Sequence, residues 1–117
     1  MSDCVFCIDN WPNLDIVEQK LWSAVIRPLN PVTNGHVLVI HTLHTEHAAD
    51  GPPDIAADLM RLAADYVARH RLQANIITSI GPYATQTVRH THLHIVPRRE
   101  GDGLTLPWTG QQQDGDR

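Results

Sequence analysis

The sequence predicts an α+β domain, with a mostly antiparallel sheet of about five short strands and one long helix packed on it. Two observations carry that expectation. Short apolar runs, broken by Pro, Gly and Asn, follow one another closely enough to pair as neighbouring strands. A single longer segment, from residue 54 to about residue 71, repeats its apolar residues at helical spacing instead. The chain has 117 residues, and either half alone would be too small to bury a good core, so one domain is the natural reading.

The elements follow in order. Residues 15–18 and 21–26 read as two short strands around a turn at Gln19-Lys20. A connection rich in turn formers comes next, with Pro28, Asn30, Pro31, Asn34 and Gly35. Residues 36–40 form a continuous apolar, β-branched run, which predicts a strand covered on both faces. Gly51-Pro52-Pro53 is a break, and Asp54 is the expected N-cap of the helix. On that helix Ile55, Leu59, Leu62, Tyr66 and Val67 share the face that packs on the sheet, and Asp58, Arg61, Asp65 and Arg69 take the other. Residues 75–79 read as a strand, Gly81-Pro82 as a turn, and residues 86–96 as a last strand ended by Pro97. The domain is expected to span residues 1–108, with Trp108 docking its end, and the polar stretch 109–117 to be a mobile tail.

Charge narrows the class of partner. Nine basic and thirteen acidic residues give a net charge of −4. That balance argues against salt-driven binding to duplex nucleic acid, which needs a basic face, but leaves room for a small phosphate-bearing ligand held by local donors. No apolar run approaches the roughly 18–20 residues that span a bilayer, so no membrane association is expected. The segment Met1-Ser2-Asp3-Cys4 lacks the apolar core of a secretory signal, and a cytoplasmic location is expected. In a reducing compartment the only two cysteines, Cys4 and Cys7, read as a metal or redox pair more readily than as a structural disulfide. By itself the pair fits two thiols near a terminus equally well.

Eight histidines are many for this length, and their clustering is more informative than their number. His36, His41, His44 and His47 form one group, and His90, His92 and His94 another. On a strand, side chains alternate between faces, so His90, His92 and His94 are expected on one face and Thr91, Leu93 and Ile95 on the other, beneath the helix. Imidazoles offer no packing advantage over leucine, so three in register point to chemistry: metal ligation, proton transfer near neutral pH, or nucleophilic attack.

The run Gln86-Thr87-Val88-Arg89-His90-Thr91-His92-Leu93-His94-Ile95-Val96 resembles the signature of the histidine-triad (HIT) nucleotide hydrolases and transferases, with Thr91 at a position that is apolar in the pattern. Asn30-Pro31-Val32-Thr33-Asn34-Gly35-His36-Val37-Leu38-Val39-Ile40, followed by His44, and Cys4-Val5-Phe6-Cys7 resemble two further segments of that family, in its zinc-containing branch. The resemblance implies that His92 attacks the α-phosphorus of a nucleotide, forming a covalent nucleotidyl-histidine that water or another acceptor releases. It implies that His94 acts beside the α-phosphate, that His36 supports the site from the neighbouring strand, and that Gln86, Thr87 and Val88 contact the substrate. It also implies a structural Zn2+ held by Cys4, Cys7, His44 and His90; two thiolates and two imidazoles make a closed tetrahedral set of the structural kind. A nucleotide-like small molecule is the expected partner, and a homodimer the expected assembly.

Some positions depart from the pattern. Pro28 stands where the resemblance implies an acidic, ribose-binding residue, Ser79 replaces an Asn, Thr85 a Gly, and His41 a Pro. His41, His47 and His70 receive structural or surface readings. Two other functions remain open on the residues alone: a metal-dependent hydrolase with the triad histidines as direct ligands, and a zinc-stabilised nucleotide-binding module without turnover.

Overall fold

The computed structural model describes residues 4–107. Trp108 and the stretch 109–117 lie outside them.

Five strands, β1 (Ile16–Gln19), β2 (Ser23–Ile26), β3 (Val37–His41), β4 (Ala74–Ile77) and β5 (His92–Pro97), form one sheet in the order β1-β2-β3-β5-β4. All four pairings are antiparallel. The helix α1 (Pro53–His70) connects β3 to β4, and β5 then returns between them. The α+β expectation holds. Two 3-10 turns, Ile8–Asn13 and Pro82–Ala84, flank the ordered core and have no periodic signature in the sequence.

Alternation along the strands separates two apolar layers. Val25, Val37, Val39, Leu93 and Ile95 point to one face and bury Leu59, Leu62, Ala63 and Tyr66 of α1. Each Val, Leu or Ile side chain among them contributes about 1.5–3 kcal/mol when fully buried. Ala24, Ile26, Leu38 and Ile40 point to the other face, covered by Phe6 and Trp11 of the N-terminal segment. Because His92 lies opposite Ile40 and His94 opposite Leu38, both histidines belong to this second face, away from the helix.

Two local expectations are corrected. The helix begins at Pro53 with Pro52 as its N-cap and no side-chain capping bond; Asp54 sits inside the first turn, where its carboxylate still favours the helix dipole. At the other end Arg71 takes a left-handed conformation, and the amides of Arg71 and Leu72 close on the carbonyls of Ala68 and Val67. The last strand is shorter than residues 86–96, because it starts at His92. His90 therefore precedes the ladder, although Phe6 lies edge-on to its ring as it does to that of His92. Residues 81–86 are instead folded back on themselves, with the amide of Gln86 on the carbonyl of Gly81.

Candidate active site and metal centre

The sheet register brings three histidines together. His92 and His94 come from β5, and His36 from the residue just before β3. His36 Nε2 and His94 Nδ1 are 3.0 Å apart. The His92 ring lies 5.1 Å from that of His94, and Phe6 packs edge-on against His92 at 5.2 Å. Burial pulls the imidazoles of His36, His92 and His94 below the ordinary histidine value. His94 is brought down to about 4, by burial first and then by the neighbouring His92 and His36. All three are neutral at pH 7.

Hydrogen bonds then assign each proton. The Nδ1 of His92 lies 2.7 Å from the carbonyl oxygen of His90, so this nitrogen carries the hydrogen and donates it. Nε2 of His92 is left with its lone pair. The amide of Val32 donates to His36 Nδ1 at 3.1 Å. His36 therefore carries its proton on Nε2 and gives it to His94 Nδ1. His94 in turn keeps its proton on Nε2 as a donor. The arrangement sets an unprotonated ring nitrogen beside a hydrogen-bond donor on one face of one strand.

A few residues away, Cys4, Cys7, His44 and His90 place one donor atom each within 4.8 Å of one another. Cys4 Sγ is 3.3 Å from His90 Nδ1, Cys7 Sγ is 3.3 Å from His44 Nδ1, and the two Nδ1 atoms are 3.1 Å apart. A tetrahedral zinc shell with ordinary Zn–S and Zn–N bonds would put such atoms ~3.3–3.8 Å apart. His90 Nε2 donates to the carbonyl of His41 at 3.0 Å, which turns the Nδ1 lone pair toward the cluster. Burial and the neighbouring Cys7 thiol push the Cys4 thiol up; a divalent cation would reverse that by stabilising the thiolate. The cluster fits a metal ion and fits zinc by its donor set. His92 and His94 are outside it.

Neighbouring groups hold both sites. Thr91, buried, donates its amide to Thr45 O at 2.8 Å, and the two threonine hydroxyls are 2.6 Å apart, which ties the His44 loop to the start of β5. Trp11 Nε1 donates to the Phe6 carbonyl and anchors the segment between the cysteines. His41 points to the helix side and bonds Asp58 at 3.1 Å, in line with its structural reading. His70 is exposed and His47 half-buried.

The segment expected to touch substrate is placed less simply. Gln86 accepts the Gly81 amide and donates to the carbonyls of Glu46 and Val88, so both ends of its amide are engaged by backbone. Thr87 is exposed, and Val88 packs against the Phe6 layer. Sequence reasoning missed Phe6 as a wall of the His92 site and Val32 as the donor to His36. Phe6 carried a signal in its place between the two cysteines; a backbone amide carries none.

A five-stranded antiparallel sheet with one crossover helix, three juxtaposed histidines and a Cys2His2 cluster define a histidine-triad domain. The family model of the HIT domain matches residues 11–101, and the chain belongs to that family. Among relatives, the adenosine 5'-monophosphoramidase HNT1 of Saccharomyces cerevisiae is 30% identical, over 97% of this chain and 75% of its own length. An uncharacterized HIT-like protein of Mycobacterium tuberculosis is 33% identical, over 88% of this chain and 76% of its own. Among solved structures, a zinc-bound histidine triad family protein from Mycobacterium smegmatis superposes with a TM-score of 0.77 at 30% identity, covering 97% of this chain and 98% of that one.

Proposed function

We propose that this protein is a nucleotide hydrolase or transferase that cleaves at an α-phosphate, with His92 as nucleophile and a nucleoside phosphoramidate or dinucleoside polyphosphate as substrate. The observation that carries this reading is the bond from His92 Nδ1–H to the His90 carbonyl, which leaves Nε2 unprotonated on a neutral ring. The Nε2 lone pair attacks phosphorus, and the bond to the leaving group breaks with its electron pair going to that group, which takes a proton from solvent. The imidazolium phosphate that forms keeps its Nδ1–H on the His90 carbonyl, where the new positive charge strengthens the bond. Water then attacks phosphorus and gives up a proton to solvent as the P–N bond breaks, returning the pair to Nε2. His94, through Nε2–H, donates to a phosphate oxygen, and His36 fixes that proton. Gln86 shapes the loop that carries Thr87 and Val88 toward the substrate.

The yeast relative's name, a monophosphoramidase, supports the phosphorus–nitrogen bond as the one broken. Zinc held by Cys4, Cys7, His44 and His90 would supply no open coordination position; it would tie the N-terminal segment, and Phe6 with it, to the sheet. That placement disfavours direct ligation by the triad, since the metal-capable group among the described residues omits His92 and His94. A homodimer is the proposed assembly, and equilibrium sedimentation is expected to give twice the chain mass.

The test is chemical. Adenosine 5'-phosphoramidate is added to the protein and the reaction quenched in base, where phosphohistidine survives. A nucleoside monophosphate adduct on His92 is expected, together with released monophosphate. Unchanged turnover in His92→Ala defeats the reading, and tight nucleotide binding without turnover replaces it with a binding module.

A further inference from the structure

We propose that Thr33 is a positioning residue, which sets where the protons sit on His36 and His94 by aiming the backbone amide of Val32. The loop between β2 and β3 contains no helix or strand, only a turn at residues 33–36, and three consecutive residues hold it against the end of β5. Thr33 donates its hydroxyl to the Pro97 carbonyl at 3.0 Å. Asn34 accepts Arg99 Nη2 on its carbonyl at 3.2 Å. Gly35, at φ +87°, comes so near that a Cβ there would stand 3.3 Å from Pro97 Cγ. The Thr33 carbonyl also accepts the His36 amide at 3.2 Å.

With the loop so held, the Val32 amide meets His36 Nδ1 at 3.1 Å. An amide N–H only donates, so His36 Nδ1 must accept, and the neutral ring carries its hydrogen on Nε2. That hydrogen faces His94 Nδ1 at 3.0 Å, which must accept in turn. One backbone amide thereby fixes the tautomers of two histidines, and the last of them presents an N–H where a phosphate would lie. If the loop shifts, His36 is free to carry its hydrogen on either nitrogen, and His94 follows. A purely structural bond from Thr33 to Pro97 would change stability without moving these protons.

The inference rests on the proposed function only for the kinetic part of its test. Nitrogen-15 imidazole spectra of the zinc-loaded, full-length protein distinguish the two tautomers directly. Wild type and Thr33→Ser are expected to show the Nε2–H form alone at His36 and His94. Thr33→Val and Thr33→Ala are expected to show mixtures at both, with the Val32 amide exchanging about tenfold faster, the equivalent of about one hydrogen bond. On the phosphoramidate, kcat should fall about tenfold in Thr33→Val with KM within twofold, and return in Thr33→Ser. Unaltered tautomers and exchange in either folded variant overturn the proposal. A wild-type protein with no turnover overturns the hydrolase reading instead and leaves the spectra to decide this one.

Discussion

His90 and His92 are joined by a 2.7 Å hydrogen bond from the Nδ1 of His92 to the carbonyl of His90, while the His90 ring turns its own Nδ1 to Cys4 and Cys7. Two histidines separated by one residue thus serve different chemistries. One turns Nδ1 into the metal-capable cluster and anchors through Nε2; the other anchors through Nδ1 and leaves Nε2 with its lone pair.

That division predicts unequal effects of substitution. His92→Ala should abolish the covalent adduct and lower kcat by a factor on the order of 10⁴ or more, as removal of a nucleophile does elsewhere. Its melting temperature should fall by several degrees without loss of the fold, because the buried ring that Phe6 packs against is removed. Adduct mass and calorimetry on the same preparations check both parts, and an adduct that persists contradicts the assignment.

Metal removal should act through folding. Chelation, or Cys4→Ser, is expected to lower the melting temperature markedly, with activity falling in step with the folded fraction, since a structural zinc contributes its binding energy to the native state. Activity lost at once while the circular dichroism spectrum is unchanged would instead place the metal in the chemistry.

The buried imidazoles predict a pH dependence. His94 is held at about 4, largely by burial. In the unfolded chain a histidine takes up its proton near 6.5. Between those values the unfolded state binds the extra proton and the native state does not, so stability is full above roughly 6.5 and is lost as pH falls toward 4. Urea midpoints of the zinc-loaded protein at pH 7.5 and 5.0 should drop more for wild type than for His94→Asn. Parallel drops would show that His94 does not titrate in this way.

Gly35 predicts a strained position. At φ +87° an alanine pays a backbone cost and also crowds Pro97 Cγ at 3.3 Å. Gly35→Ala is expected to cost about 1–3 kcal/mol, a fall of several degrees in melting temperature. Gly101→Ala, at φ +73° with nothing within 4 Å of its added Cβ, serves as the control and should cost less.

Much of the fold was legible because period and punctuation are local. The helical stripe of Ile55, Leu59, Leu62 and Tyr66 is buried as its spacing predicts, and Leu93 and Ile95 lie beneath it. Boundaries were less legible. Residues 86–91 carry the β-branched Thr87, Val88 and Thr91, yet the side-chain amide of Gln86 bonds the backbone of Gly81, Glu46 and Val88 and folds this stretch back from the sheet. A side chain bridging segments 40 residues apart leaves no trace in a local pattern.

Local pattern decides which residue types meet: the strand alternation that sends His92 and His94 to one face, and the thiol and imidazole pairs able to hold a metal. The tertiary structure alone decided what each imidazole does. Neutral histidine has two nearly equivalent tautomers, and the choice between them belongs to whichever donor or acceptor lies across the ring. For His36 that partner is the amide of Val32, for His90 the carbonyl of His41, and for His92 the carbonyl of His90. Backbone groups are the same at every residue, so only the fold says which of them a ring will face.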